Sequence, residues 1–274
     1  MNRPASAAGG RVLVIAGSDS GGGAGVQADI KTITALGSYA ATAITALTAQ
    51  NTMGVFGVVD VPPEFIVQQI GLVLDDIGAD VVKTGMLSKP AAIEAIAGAL
   101  AGRAAGLPLV VDPVMVAKGG HKLLDDNAHA ALLGLLVPRA TVLTPNLPEA
   151  EALTGLKVDD PPSMVAAGQA LKARGARAVL VKGGHLAGTR LIDVLVSDEG
   201  TETFEDMRID TAGTHGTGCT LASAIAAGLA RGLSVKAAVI RARRYVRLAI
   251  ASAPGYGHGH GPLNHAHTVR PFDV

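Results

Sequence analysis

The sequence predicts an α/β fold: a three-layer α/β/α sandwich around a mainly parallel central sheet. Three observations carry that prediction. Short β-branched apolar stretches at 12–16, 58–61, 81–83, 109–112, 141–144, 178–181 and 191–196 alternate with longer Ala- and Leu-rich segments, as βα units do. Most of these stretches are unbroken rather than alternating, which is how strands covered by helices on both faces read. Polar or glycine-rich residues follow most of them, where parallel sheets place their ligands, outside the carboxyl ends of the strands.

In chain order, the first strand ends at Gly17, Ser18 and Asp19, and the glycines up to Gly25 let backbone approach a ligand before a helix begins. Thr45, Thr48, Gln50 and Asn51 interrupt the small apolar run 43–51. The proline pairs at 62–63 and 161–162 mark helix starts or turns. Thr84-Gly85-Met86 follows the third predicted strand, Asp112-Pro113-Val114 closes the fourth, Pro145-Asn146 follows the fifth, and Lys182-Gly183-Gly184 the sixth. The segment 210–219 leads into an apolar helical stretch at 220–229. No internal repeat or long linker divides the chain, so it reads as one domain over 11–274 behind a flexible tail of residues 1–10. The His- and Gly-rich stretch 255–267 reads as mobile or irregular.

Composition narrows the function. With 274 residues the chain can bury a substantial core, and 49% hydrophobic against 17% charged residues excludes a disordered protein. Lys+Arg 23 balances Asp+Glu 23, and aromatic residues are only 3%, so neither a polyanion-coating surface nor a stacking platform for nucleic acid is expected. A single Cys rules out an internal disulfide and suits a reducing compartment. No targeting segment and no apolar run near the ~20 residues of a membrane span is visible, so a cytoplasmic protein without membrane partners is expected.

Several segments carry chemistry beside a plainer reading. Gly23-x-Gly25-x-x-Ala28 satisfies a relaxed dinucleotide fingerprint, but the expected acidic partner about 20 residues on is missing. Nor does any Gly-Lys-Ser/Thr occur for a Walker loop. Amides of Gly216, Thr217, Gly218 and Cys219 at a helix start would form a nest for phosphate oxygens and would lower the Cys219 thiol pKa; otherwise Cys219 is a small buried hydrophobe in a tight turn. Asn146 and Glu149, three apart at a helix start, could position metal and phosphate, or could form a capping box. Lys182 adds a cation at a strand end. The amide of Gln50 could read the amino and ring-nitrogen edge of an aminopyrimidine, although a surface Gln is the commoner case. The His residues of 257–267 have glycine spacers and no accompanying carboxylate or Cys, which argues against a metal site.

Seven ordered motifs, AGSDSGGGAGVQADIK (16–31), ITALTAQN (44–51), KTGML (83–87), DPVM (112–115), TPNLPE (144–149), VKGGH (181–185) and THGTGCT (214–220), together resemble the hydroxymethylpyrimidine/phosphomethylpyrimidine kinases of thiamine biosynthesis, within the ribokinase-like family. The tail pattern Gly-x-Gly-Pro followed by His-x-His is similar too. The resemblance implies phosphorylation of 4-amino-5-hydroxymethyl-2-methylpyrimidine by ATP with Mg²⁺, then of the monophosphate, in a homodimer or other homo-oligomer. It implies that Gly17, Asp19, Ala24, Thr48, Gln50, Met86, Val114 and Cys219 line the pyrimidine pocket. By the same resemblance Gly216, Thr217 and Gly218 form the anion hole, and Asp112, Asn146, Glu149 and Lys182 face ATP, with Asp112 and Glu149 toward the metal. Many ribokinase-like sugar kinases carry Asp where Cys219 stands. A thiolate there would help deprotonate the alcohol of the first step but not the second, whose phosphate is already largely ionised with a second pKa near ~6. Pyridoxal kinase is the alternative that shares these loops.

Overall fold

The structure is a computed structural model that describes residues 9–116, 120, 123–124 and 127–270. In chain order the elements are β1 (Gly9–Asp19), α1 (Gly25–Ala35), β2 (Ser38–Asn51), β3 (Gly54–Asp60), α2 (Pro63–Asp76), β4 (Val81–Thr84), α3 (Pro90–Arg103), β5 (Leu109–Val111) and α4 (Ala128–Ala131). A π turn and a 3₁₀ turn continue α4 to Arg139. Then come β6 (Val142–Leu143), α5 (Leu147–Thr154), α6 (Pro161–Ala173), β7 (Val179–Val181), β8 (Arg190–Ser197), β9 (Gly200–Met207), α7 (Thr217–Ala230) and α8 (Val235–Ala251).

One sheet runs β3-β2-β1-β4-β5-β6-β7-β8-β9. The pairings from β2 through β7 are parallel, while β3 at one edge and β8 and β9 at the other are antiparallel. Successive side chains of β1 alternate between faces. Leu13 and Ile15 join Ile66, Ile70, Ile93, Ile96 and Leu143 in one core, and Val12, Val14 and Ala16 join Ile33, Ile225 and Val246 in the other. The predicted three-layer sandwich is therefore present, with a buried layer on each side of the sheet.

Two strands lie outside the predicted set. β2 is 14 residues of mostly Ala and Thr, too weakly apolar to announce itself, and it is held by a parallel ladder to β1 that runs, with two register shifts, from Gly9↔Ser38 to Asp19↔Thr48. β9 places Glu202, Phe204 and Asp206 on its half-buried face and Thr201, Thr203, Glu205 and Met207 on its exposed one, so no apolar alternation marks it in the sequence. The predicted first strand begins earlier, since Gly9 and Gly10 already belong to β1; residues 1–8 lie outside the described residues. Both proline pairs do start helices: Pro62 caps α2, and Asp160 caps α6 through a reciprocal bond with Ser163. Segment 255–267 is irregular as expected, but it is fastened: His260 N donates to Thr52 O (3.0 Å), Gly261 N to Ala212 O (3.1 Å), and Tyr245 Oη to His265 O (2.6 Å). No described helix is long and apolar enough to cross a membrane.

Candidate active site

At the carboxyl end of β1 the chain folds back on its own carboxylate. Asp19 Oδ1 accepts from Gly21 N (2.8 Å), and Oδ2 accepts from Gly23 N (3.1 Å) and Ala24 N (2.8 Å). His215 Nε2 lies 2.9 Å from the same Oδ2, across 196 residues of sequence. Burial works against this charge, but the His215 bond and the amides outweigh it and hold the Asp19 carboxyl below its ordinary value. The loop closes at Gly25, whose φ of +55° suits glycine and where a Cβ would overlap the Gly17 carbonyl oxygen.

The β1–β2 ladder sets Asp19 beside Thr48. Thr48 Oγ1 donates to Ser18 O (2.8 Å) and lies 3.2 Å from Gln50 Oε1; Ser20 Oγ donates to Gln50 O (2.7 Å). Gln50 Nε2 is 3.2 Å from His215 Nε2. Gly17 faces Met86, since a Cβ there would stand 3.1 Å from its Sδ, and Thr45 ties the Met86 carbonyl down at 2.7 Å. Gly17, Asp19, Ala24, Thr48, Gln50 and Met86 thus come together. Val114 follows Asp112 after β5, half-buried, with Val114 N donating to Asp112 O (2.9 Å).

The N-terminus of α7 closes one side of this cluster. Its cap, Gly216, has φ +82°, and a Cβ there would overlap the Gly23 carbonyl oxygen, so only glycine permits the contact between the two loops. No side chain caps the helix; Thr217 N turns to Thr214 O (3.4 Å), which leaves the amides of Gly218 and Cys219 for an anion. A Cβ on Gly218 would stand 3.3 Å from Lys182 Nζ and 3.6 Å from Asp112 Oδ2, so the turn adjoins the acceptor cluster on one side and this charged pair on the other.

The expectation of a lowered Cys219 thiol is overturned. Burial pushes it up to about 12, with Asp29 and Asp112 adding to the effect, and the nearby Lys83 only partly offsets them. Cys219 is therefore a neutral thiol near neutral pH, and the predicted difference between the two phosphorylation steps loses its physical basis.

On the far side, Lys182 Nζ donates to Asp112 Oδ1 (3.0 Å) and lies 3.8 Å from Glu149 Oε2, while Thr144 Oγ1 donates to Asp112 Oδ1 (3.1 Å). Burial opposes the Lys182 charge, but Asp112 and Glu149 raise its pKa above the ordinary value. The capping box of Asn146 and Glu149 is realised: Asn146 N donates to Glu149 Oε2 (2.8 Å), and Glu149 N to Asn146 Oδ1 (2.9 Å). Cap and site are compatible, because the capped carboxylate still reaches Lys182. Burial raises the Glu149 carboxyl to about 7 despite Lys182.

Asp112 and Glu149 suit a magnesium ion brought in with a nucleotide, which takes one or two protein carboxylates and fills its other positions with phosphate and water. No group of three or more His, Cys, Asp or Glu able to hold a metal occurs among the described residues. In the tail, His265 Nε2 pairs with Thr220 Oγ1 (2.9 Å), and burial lowers its pKa to about 4.

Two features were not singled out from sequence. His215 joins Asp19 to Gln50, and only its place in THGTGCT hinted at a role. Beneath Cys219, Lys83 Nζ bonds both oxygens of Asp29 (2.9 Å each), and Ser223 Oγ donates to Asp29 Oδ1 (2.7 Å). Burial works against the Lys83 ammonium, but Asp29 outweighs it and raises its pKa. Their signal was available: a Lys and an Asp inside otherwise apolar stretches need partners.

The family model described as phosphomethylpyrimidine kinase matches residues 19–264. The chain is 49% identical to a hydroxymethylpyrimidine/phosphomethylpyrimidine kinase of Streptomyces coelicolor, covering 93% of each. It is 52% identical to a bifunctional thiamine-biosynthesis protein of Geobacter sulfurreducens, covering 97% of this chain but only 54% of that longer one. Among solved structures, a Bacillus subtilis pyridoxal kinase in complex with ADP superposes with TM-score 0.87 at 38% identity, over 94% of this chain and 97% of that one. A Clostridium difficile phosphomethylpyrimidine kinase superposes with TM-score 0.78 at 42% identity, over 88% and 99%. With its glycine turn seated between an amide-bearing pocket and an Asp–Lys pair, the chain belongs to the phosphomethylpyrimidine kinase family.

Proposed function

We propose that this chain phosphorylates 4-amino-5-hydroxymethyl-2-methylpyrimidine with ATP and then phosphorylates the monophosphate. One observation carries the reading: the α7 turn touches the Gly23–Ala24 loop on one flank and faces Lys182 and Asp112 on the other, so an acceptor and a phosphate donor could meet across it.

In that arrangement the pyrimidine lies against Gly17, Met86 and the Gln50 amide, with Val114 beyond, and its hydroxymethyl oxygen points at the turn. A new P–O bond forms as the γ-phosphoryl bond to ADP breaks, and the alcohol proton leaves for solvent. Charge on the migrating group is met by the amides of Gly216, Gly218 and Cys219 and by Lys182. Cys219 lines the turn as a neutral thiol, so positioning and charge neutralisation carry the first step without a thiolate. In the second step the nucleophile is a phosphate with second pKa near ~6, which is its own base. Asp112 and Glu149 would hold the nucleotide's Mg²⁺, which supplies charge neutralisation; Asn146 orients Glu149.

Exposed Phe56, Val59, Phe65 and Leu72 near the β3 edge and α2 support self-association, and sedimentation reads it directly. Incubation with MgATP and the pyrimidine alcohol, with products resolved over time, should give the monophosphate first and the diphosphate after it. The solved pyridoxal kinases favour a second reading, phosphorylation of pyridoxal. Phosphorylation of pyridoxal with no pyrimidine product would select that reading, and no product from either alcohol would end both.

A further inference from the structure

The hydrogen inventory around Gln50 fixes more than its position. Asp19 accepts three backbone amides and stands 2.9 Å from His215 Nε2, an arrangement that uses the carboxylate purely as an acceptor. That ring nitrogen must therefore carry the hydrogen, and it cannot also accept one from a carboxamide NH₂ 3.2 Å away. At the other end, Thr48 has one hydroxyl hydrogen, spent on Ser18 O at 2.8 Å, so toward Gln50 it can only accept. The two ends of a carboxamide are equal in size, and both neighbours ask for the same choice: oxygen toward His215 and NH₂ toward Thr48.

We infer that Asp19–His215 and Ser18–Thr48 act as two clamps that lock the Gln50 amide in this orientation, making His215 and Thr48 positioning residues for substrate specificity. With one lone pair turned to the hydrogen that His215 Nε2 directs mainly at Asp19 (2.9 Å) and shares with the amide at 3.2 Å, and one hydrogen held by Thr48, the amide keeps one acceptor and one donor side by side. That remaining edge complements an exocyclic amine next to an unprotonated ring nitrogen. It opposes a carbonyl next to a ring N–H, where like groups would meet. His215 thus selects a substrate it need not touch, because the carboxamide cannot turn to suit the wrong edge.

The inference rests on the proposed pyrimidine kinase activity and is tested beside it. Turnover of the 4-amino alcohol and of its 4-oxo analogue is compared in the wild type, His215→Leu and Thr48→Val, the last nearly isosteric. The wild type should favour the amino compound by at least ~100-fold in kcat/KM. Each variant should lose about tenfold or more on the amino compound while holding or gaining on the oxo compound, so that the ratio collapses. A merely structural role would lower both substrates together, and an unchanged ratio in the two variants would overturn the inference while leaving the activity standing. Should His215→Leu fail to fold, the ratio in Thr48→Val decides alone. A wild type that turns over neither pyrimidine overturns the activity itself, and with it the inference.

Discussion

Two Asp–Lys pairs of the same chemistry are set one above the other around the start of α7. Asp29 and Lys83 are sealed, each with 0% side-chain exposure, and Ser223 completes their bonding. Asp112 and Lys182 open onto the site: Lys182 keeps 14% exposure, reaches a second carboxylate in Glu149, and lies against the Gly218 turn. The lower pair joins α1, β4 and α7 beneath the turn, while the upper pair borders the space above it. What surrounds a charged pair, rather than the pair itself, decides whether it serves the architecture or the chemistry.

The sharpest way to break that comparison is Lys83→Met, which leaves Asp29 buried without its partner. It should cost about 3–5 kcal/mol in denaturant unfolding. Lys182→Met should instead lower kcat by ~100-fold or more with a much smaller change in unfolding free energy. Equal stability losses in the two variants would dissolve the distinction.

Glu149 sharpens it further. Its carboxyl is raised from 4.5 to about 7, so its contribution to stability is fully present below about pH 4.5 and is lost as the pH rises through 7. Glu149→Gln keeps an acceptor for Asn146 N but cannot ionise. Melting curves from pH 5 to 8 should show the wild type losing about 1–3 kcal/mol that the variant retains. The smallest effect belongs to Cys219→Ala. With a thiol near 12, single-turnover rates of the two steps should fall together and by less than ~10-fold, with no inflection between pH 7 and 9 that depends on the thiol. A selective loss in the hydroxymethyl step would restore a basic role for that sulfur.

Much of this was legible in the residues. Unbroken apolar stretches located the buried parallel strands, and the residues after them located the rim, because strand burial and strand ends are written locally. TPNLPE carried two readings: the capping box of Asn146 and Glu149 is formed, and it leaves the Glu149 carboxylate 3.8 Å from Lys182. What stayed hidden was long-range. β2 owes its existence to pairing with β1, and His215 meets Asp19 across 196 residues. The Cys219 thiol was misjudged because the helix start alone predicts a lowered pKa, whereas the packing around it, set by distant segments, raises it.

The fastened tail has a consequence for how the protein is made. His215 is backed by Gly261 and Pro262, and Gly257 and Gly259 press against Thr52 at the tip of the β2–β3 hairpin. During synthesis the glycine loop and the Gln50 strand emerge early, yet the histidine that joins them is buttressed by residues translated more than 40 positions after it. The last strand, β9, is therefore translated well before the segment that backs His215.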